Sequence, residues 1–180
     1  IKLYDLSGNE KYLKLAGYFI NTRGTNRFFE DEFEKRDHIS FWAKARTEEP
    51  NQYYNQYPYS YYNQFQSPVR EQKKAVGHAV RGVYMYTAMA DLAAKTGDKE
   101  LFKACRTIWD DIVNCQMYIT GGIGSTNSGE AFTKDYDLPN DTNYSETCAS
   151  IGLIFFAQRM LMTETDSTYG DVIEQALYNT

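Results

Sequence analysis

Two glutamates stand within and just after a long segment rich in glycine, serine and asparagine. Glu130 follows Gly129 inside this segment, and Glu146 comes directly after Ser145, the predicted N-cap of a helix. Two carboxylates near helix ends can divide acid-base and nucleophilic work between them, as in the hydrolysis of glycosides. The alternative is that both are solvated surface charges, as most of the 24 acidic residues must be.

Cys148 lies two residues after Glu146, in the predicted first turn of the same helix. Side chains at i and i+2 diverge on a regular helix, but at its entrance both could turn toward one point. The positive end of the helix dipole favours a thiolate there, and a thiolate with a carboxylate forms half of a zinc site. The alternative is a small buried residue.

The remaining histidines and cysteines are weaker candidates. His78 lies just inside a predicted helix start, where it could hydrogen-bond a substrate hydroxyl or sit in the core with one nitrogen satisfied. His38 lies in a charged stretch and is predicted to be exposed. Cys105 and Cys115 share an apolar helix face, so we predict core packing and no metal ligation for them. An odd number of cysteines does not indicate a disulfide framework.

Helical periodicity dominates the segments that must position these residues. Apolar residues recur at helical spacing in four segments, and no strand alternation competes with them: 11–22, 76–95, 98–118 and 147–162. A turn with glycine followed by Asn or Asp as the N-cap recurs at Gly8-Asn9 and Gly97-Asp98, and more loosely at Gly170-Asp171. The pattern predicts an all-α fold of stacked helical hairpins, arranged as a toroid with long functional loops.

Two long stretches are predicted to be loops. Residues 51–68 are rich in tyrosine, and residues 120–145 hold several glycines together with Glu130. The chain has 16 tyrosines, an excess that suits stacking on the apolar faces of sugars, although most tyrosines in any protein serve packing. A carbohydrate is therefore the expected ligand class.

Charge and hydropathy exclude two classes of partner. The formal net charge is -5, and the longest basic cluster is Lys73-Lys74, which argues against binding to nucleic acid. No apolar run is long enough to span a bilayer, so no membrane partner is predicted. Nothing in the chain predicts its oligomeric state.

Four motifs together resemble the β-L-arabinofuranosidase family of glycoside hydrolases, family 127, formerly a domain of unknown function. Their order and approximate spacing also match, and the firm resemblance covers about residues 68–160: Ala75–Arg81, Tyr118–Ser125, Gly129–Phe132 and Tyr144–Ser150.

The resemblance implies an (α/α)6 barrel that hydrolyses β-linked L-arabinofuranosides with retention of configuration. Glu130 matches the general acid/base, Glu146 and Cys148 match two zinc ligands, and His78 matches a substrate-contacting histidine. The family's nucleophile is a zinc-bound cysteine from a Cys-Cys pair nearer the C-terminus, so Glu146 is reassigned from nucleophile to metal ligand.

Two departures from the family qualify these expectations. This chain has no adjacent cysteine pair, and Gln66-Ser67-Pro68 lacks the histidine expected two residues before the proline. We therefore expect residues 1–180 to be part of a single (α/α)6 domain truncated at both ends, inactive alone, and exposing helix faces that missing hairpins cover. Another rare pentose as substrate, or a degenerate carbohydrate-binding toroid, remains an alternative. The expected location is the cytoplasm or periplasm of a bacterium.

Overall fold

The described part of the chain is built from α-helices joined by turns and a long loop. The computed structural model describes residues 1–25, 31, 35 and 59–180. In this part only isolated β-bridges occur and no strand forms, so the predicted all-α class is confirmed. The helices are α1 Lys2–Ser7, α2 Glu10–Thr22, α3 Tyr59–Tyr62, α4 Ala79–Thr96, α5 Lys99–Asp111, α6 Thr147–Thr163 and α7 Ser167–Asn179, with a 3-10 turn at Val69–Glu71 and a π-helical turn at Ile112–Gln116.

Side-chain caps begin three of these helices. Asn9 and Asp98 accept hydrogen bonds from the backbone N–H groups of Lys11 and Leu101, which confirms the first two predicted turns. The third prediction is wrong, because Gly170-Asp171 lies inside α7. The side chain of Asp166 accepts the Thr168 N–H and so caps the helix further upstream.

The start of α4 is later than the periodicity predicts, at Ala79 and not at residue 76. Gly77 holds a backbone φ of 72°, and a Cβ there would lie 2.3 Å and 2.4 Å from the carbonyl oxygens of Tyr61 and Tyr62. Only glycine tolerates both the left-handed conformation and this close approach. The helix therefore begins after the chain has turned at Gly77.

The core forms where α4 and α6 pack side by side, with α5 against α4 and α7 against α6. Gly152 of α6 allows the close approach, because a Cβ there would come within 2.3 Å of the Val83 side chain on α4. Four aromatic rings then join the helices in a chain. Phe156 lies between Tyr86 and Trp109, with centroids 5.8 Å and 5.7 Å away, and Trp109 contacts Tyr169 at 4.9 Å.

Some apolar helix faces are exposed. Tyr84 on α4 and Phe155 on α6 are 49% and 40% exposed, and their rings meet edge to face. Ile151 extends the same face, and α2 exposes Leu15, Tyr18 and Phe19. Contiguous exposed apolar surface of this kind normally lies against other protein. These faces fit the expectation for part of a toroid.

The described part of the chain bears on two further predictions. None of its helices is both long and apolar enough to cross a membrane.

The tyrosine-rich loop is described only in part. Residues 51–58 of this loop lie outside the described residues, as does His38, which was predicted to be exposed. The rest of that loop contains the short helix α3. The buried Gln64 amide donates to the carbonyls of Tyr62 and Val76, each at 2.9 Å, and the His78 carbonyl lies 3.3 Å from the same nitrogen. Gln64 thus ties this segment to the start of α4.

Candidate active site

The N-terminal ends of α4 and α6 lie next to each other under the long loop. His78 is the N-cap residue of α4, and Glu146 is the N-cap residue of α6. No helix or strand interrupts the predicted loop of residues 120–145. This loop carries Glu130, and its backbone is hydrogen-bonded to the start of α4.

Backbone hydrogen bonds fasten the loop to α4. The Glu130 carbonyl accepts the N–H of Ala79 at 2.8 Å, one of the four donors that a helix start leaves unpaired. Phe132, fully buried, donates its N–H to the Gly77 carbonyl at 2.9 Å. Glu130 itself has a φ of 53°, a region that non-glycine residues rarely adopt. Its neighbours therefore hold Glu130 in a fixed place beside His78.

A second set of bonds closes the far end of the loop onto its beginning. The N–H groups of Tyr144 and Ser145 donate to the carbonyls of Ser125 and Gly124, at 3.2 Å and 3.0 Å. This pairing brings the residue before α6 back to the turn that contains Glu130. The start of α6 and the Glu130 carboxylate consequently share one site.

Four side chains form a continuous polar chain in this site. His78 Nε2 lies 3.0 Å from Glu130 Oε2, and the Tyr144 hydroxyl lies 3.0 Å from Glu130 Oε1. The same hydroxyl lies 3.1 Å from Glu146 Oε2. Hydrogen bonding to Glu130, then burial and Glu146, raises the pKa of Tyr144, so the phenol keeps its proton. The Glu130 side chain is 40% exposed and can reach a bound molecule.

The surroundings of His78 favour its neutral form. Burial lowers its pKa, the nearby Arg81 charge lowers it further, and Glu130 opposes both. A neutral imidazole that donates to Glu130 carries its proton on Nε2, which leaves Nδ1 as an acceptor. Nδ1 is buried and has no hydrogen-bond partner among the residues that the structure describes.

The lowered pKa of His78 predicts a pH dependence of stability. The unfolded chain binds a proton near pH 6.5, whereas the folded chain does so only at lower pH. The contribution of His78 is therefore complete above about pH 6.5 and is lost as the pH falls through the folded pKa. Urea midpoints of the complete protein at pH 7.5 and 5.0 should differ more for wild type than for His78→Gln. Parallel shifts in both proteins would contradict this assignment.

Glu146 and Cys148 lie at the accessible start of α6. Ser145 was predicted as the N-cap, but Glu146 holds that position, because Ser145 has a φ of 35° and turns its hydroxyl to Asn143. Cys148 is exposed in the first helical turn, so burial in the core does not account for it. A carboxylate and a thiol are both zinc ligands, so this donor pair fits zinc. Among the described residues no third such ligand completes the group.

A separate group of possible metal ligands lies at the π-helical turn. One ligand atom from each of Asp111, Cys115 and Asp135 lies within 4.8 Å of the others. The prediction that Cys115 packs in the core is wrong: it is partly exposed, with Sγ 3.6 Å from the Tyr136 hydroxyl, whereas Cys105 is buried as predicted. Lys74 forms an ion pair with Asp135 and already supplies a positive charge there.

The sequence interpretation did not single out Tyr144. The residue was part of a matching motif, two positions before Glu146, but its spacing does not reveal the direction of its ring. For the second group of possible metal ligands, the sequence did offer a signal. Asp111 and Cys115 are spaced i to i+4, which puts both on one helix face. Asp135 joins them only through the fold of the loop.

Comparisons with known proteins agree on one family. The family model described as "Beta-L-arabinofuranosidase, GH127 catalytic domain" matches residues 1–180. A curated protein of Bifidobacterium longum subsp. longum, named non-reducing end beta-L-arabinofuranosidase, is 40% identical over 179 residues, which cover 99% of this chain and 26% of that protein. This chain thus spans about a quarter of its curated relative.

Solved structures give the same result. A crystal structure of a GH127 beta-L-arabinofuranosidase from Geobacillus stearothermophilus matches with a TM-score of 0.87 and 54% identity, over 99% of this chain and 26% of that one. A second GH127 beta-arabinofuranosidase matches with a TM-score of 0.78 and 43% identity, over 99% and 23%. The helical arrangement described above therefore has close counterparts.

Proposed function

The chain belongs to the GH127 catalytic-domain family of β-L-arabinofuranosidases, and from that premise we propose that the protein containing it is a glycoside hydrolase that releases β-linked L-arabinofuranose from arabinose-containing glycans. The named activities of its relatives support the substrate class. The observation that carries the reaction type is the polar chain of His78, Glu130, Tyr144 and Glu146.

Glu130 is the proposed general acid and base. It protonates the leaving oxygen of the glycoside and later removes a proton from the attacking water. Each carboxylate oxygen has two lone-pair positions, and His78 and Tyr144 each use one of them. The remaining positions, on a partly exposed side chain, are free for a substrate oxygen and a water molecule.

His78 orients this carboxylate and is also the proposed substrate contact. Because Nδ1 is buried, a sugar hydroxyl would have to share the Nε2 proton with Glu130. The imidazole then holds the substrate and the acid/base in one hydrogen-bond network. This role needs the neutral, Nε2-protonated ring that the lowered pKa of His78 favours.

Glu146 and Cys148 are the proposed zinc ligands of this chain. Zinc normally takes four protein ligands in a closed site, so two more must come from elsewhere in the protein. When bound, zinc would keep a thiolate ionised near neutral pH. We propose that the nucleophile is a cysteine outside these 180 residues and that the reaction retains configuration.

The 180 residues are proposed to be part of a single (α/α)6 domain that continues at both ends. The exposed apolar faces of α2, α4 and α6 support this, because further helices would cover them. The part alone is then expected to lack catalysis and to bind zinc weakly.

The function is tested with the complete protein and a panel of aryl pentosides. We expect hydrolysis of the β-L-arabinofuranoside and not of its α anomer, with the β anomer of arabinose as the first product by NMR. Preference for another pentose would keep the reaction type and change the substrate. Binding of arabinose-containing glycans without hydrolysis of any panel member would contradict the proposal and indicate a binding protein.

A further inference from the structure

The Tyr144 hydroxyl stands between two carboxylates that approach the site from different elements. It lies 3.0 Å from Glu130 Oε1 on the loop and 3.1 Å from Glu146 Oε2 at the start of α6. Its backbone N–H is bound to Ser125, and that of Ser145 to Gly124. The position of the ring is therefore set by the closure of the loop.

Proton counting limits what this arrangement can be. A phenol has one hydrogen to donate and lone pairs to accept with, while an ionised carboxylate only accepts. Tyr144 cannot donate a full hydrogen bond to both Glu130 and Glu146 at once. If one carboxyl carries a proton, the phenol can donate its single hydrogen to the other, ionised carboxylate. If both are ionised, the single hydrogen must be shared or must alternate between them.

We propose that Tyr144 is a positioning residue that couples Glu130 to Glu146. Its hydroxyl donates to Glu130 when that carboxylate is ionised, and turns to donate to Glu146 when Glu130 carries the proton that it gives to the leaving oxygen. One rotation of the O–H bond thus supports both the acid form and the base form of Glu130. This inference rests on the proposed acid/base function of Glu130.

His78 holds the other oxygen of Glu130, so the loss of Tyr144 leaves the carboxyl attached on one side only. Tyr144→Phe removes the hydroxyl and keeps the ring. Misplacing a catalytic group by about 1 Å can cost on the order of 100-fold in rate. We expect kcat on an unactivated glycoside to fall by roughly 10- to 100-fold, with KM changed little.

The experiment compares Tyr144→Phe with wild type in the complete protein on two substrates. An aryl glycoside with a good leaving group needs little protonation, so its kcat should fall much less than that of the unactivated glycoside. Tyr178→Phe is the matched control, because Tyr178 is 77% exposed and lies on α7. Zinc content is measured for all three proteins and should be the same.

If Tyr144→Phe loses zinc and its kcat falls equally on both substrates, Tyr144 only supports Glu146. If its kcat is unchanged on both substrates, Tyr144 supports neither carboxylate. Either result overturns the proposal. If wild type hydrolyses no glycoside, the proposed function fails separately. Crystal structures of the complete protein then decide the positioning role, since the Glu130 carboxyl should shift in Tyr144→Phe and an unmoved carboxyl overturns it.

Discussion

Replacing Glu130 by Gln in the complete protein is expected to lower kcat/KM on an unactivated β-L-arabinofuranoside by roughly 100- to 10,000-fold. Glutamine has the same shape, and its amide can still accept from His78 and donate to Tyr144, so the loop should keep its fold. What it cannot do is give a proton to the leaving oxygen and take one from water. The measurement is initial-rate kinetics on a natural linkage, because activated aryl substrates need less acid help.

Glu174→Gln is the matched control for this variant. Glu174 is exposed on α7 and should tolerate the change without loss of rate. Adding azide to Glu130→Gln with an activated substrate gives a second readout, since an external nucleophile does not need the general base. Near-native turnover of the natural linkage by Glu130→Gln would show that the acid/base is another residue.

Replacing Cys148 by Ser should weaken zinc binding by the complete protein by more than about 100-fold, because it removes a proposed ligand. Mutating a residue that only hydrogen-bonds to a metal ligand already lowers metal affinity by roughly 10- to 100-fold. Serine fits the exposed first turn of α6, but its hydroxyl is not ionised at neutral pH and is a poor ligand. Zinc per chain after dialysis against a chelator is the measurement. Hydrolysis should fall in parallel, because the proposed thiolate nucleophile depends on the metal.

Cys115→Ser separates the two possible metal groups. Cys115 is also a partly exposed cysteine, and it lies with Asp111 and Asp135 in a group that could hold an ion. If zinc occupies the Glu146–Cys148 site, Cys115→Ser retains it. Zinc lost from Cys115→Ser but kept by Cys148→Ser would move the metal to the other group.

The helices were predictable because their signals are local. The segment 147–162 was predicted as a helix, and α6 runs from Thr147 to Thr163. The caps at Asn9 and Asp98 were predicted from residue type, since a short polar side chain satisfies the N–H groups that follow it. Prediction failed where a contact with another segment of the chain sets the backbone conformation. Gly77 packs against the carbonyls of Tyr61 and Tyr62, and the turn there delays the start of α4.

The sequence by itself determined the all-α class and the long loop after the third predicted helix, and it supplied the carboxylates and the thiol that are proposed to do chemistry. These follow from periodicity and residue type, which act over a few residues. Only the tertiary structure decided that Cys148 is exposed while Cys115 turns to Tyr136. It alone brought Tyr144 between Glu130 and Glu146, because backbone bonds between the two ends of a loop set that contact and no local pattern records them.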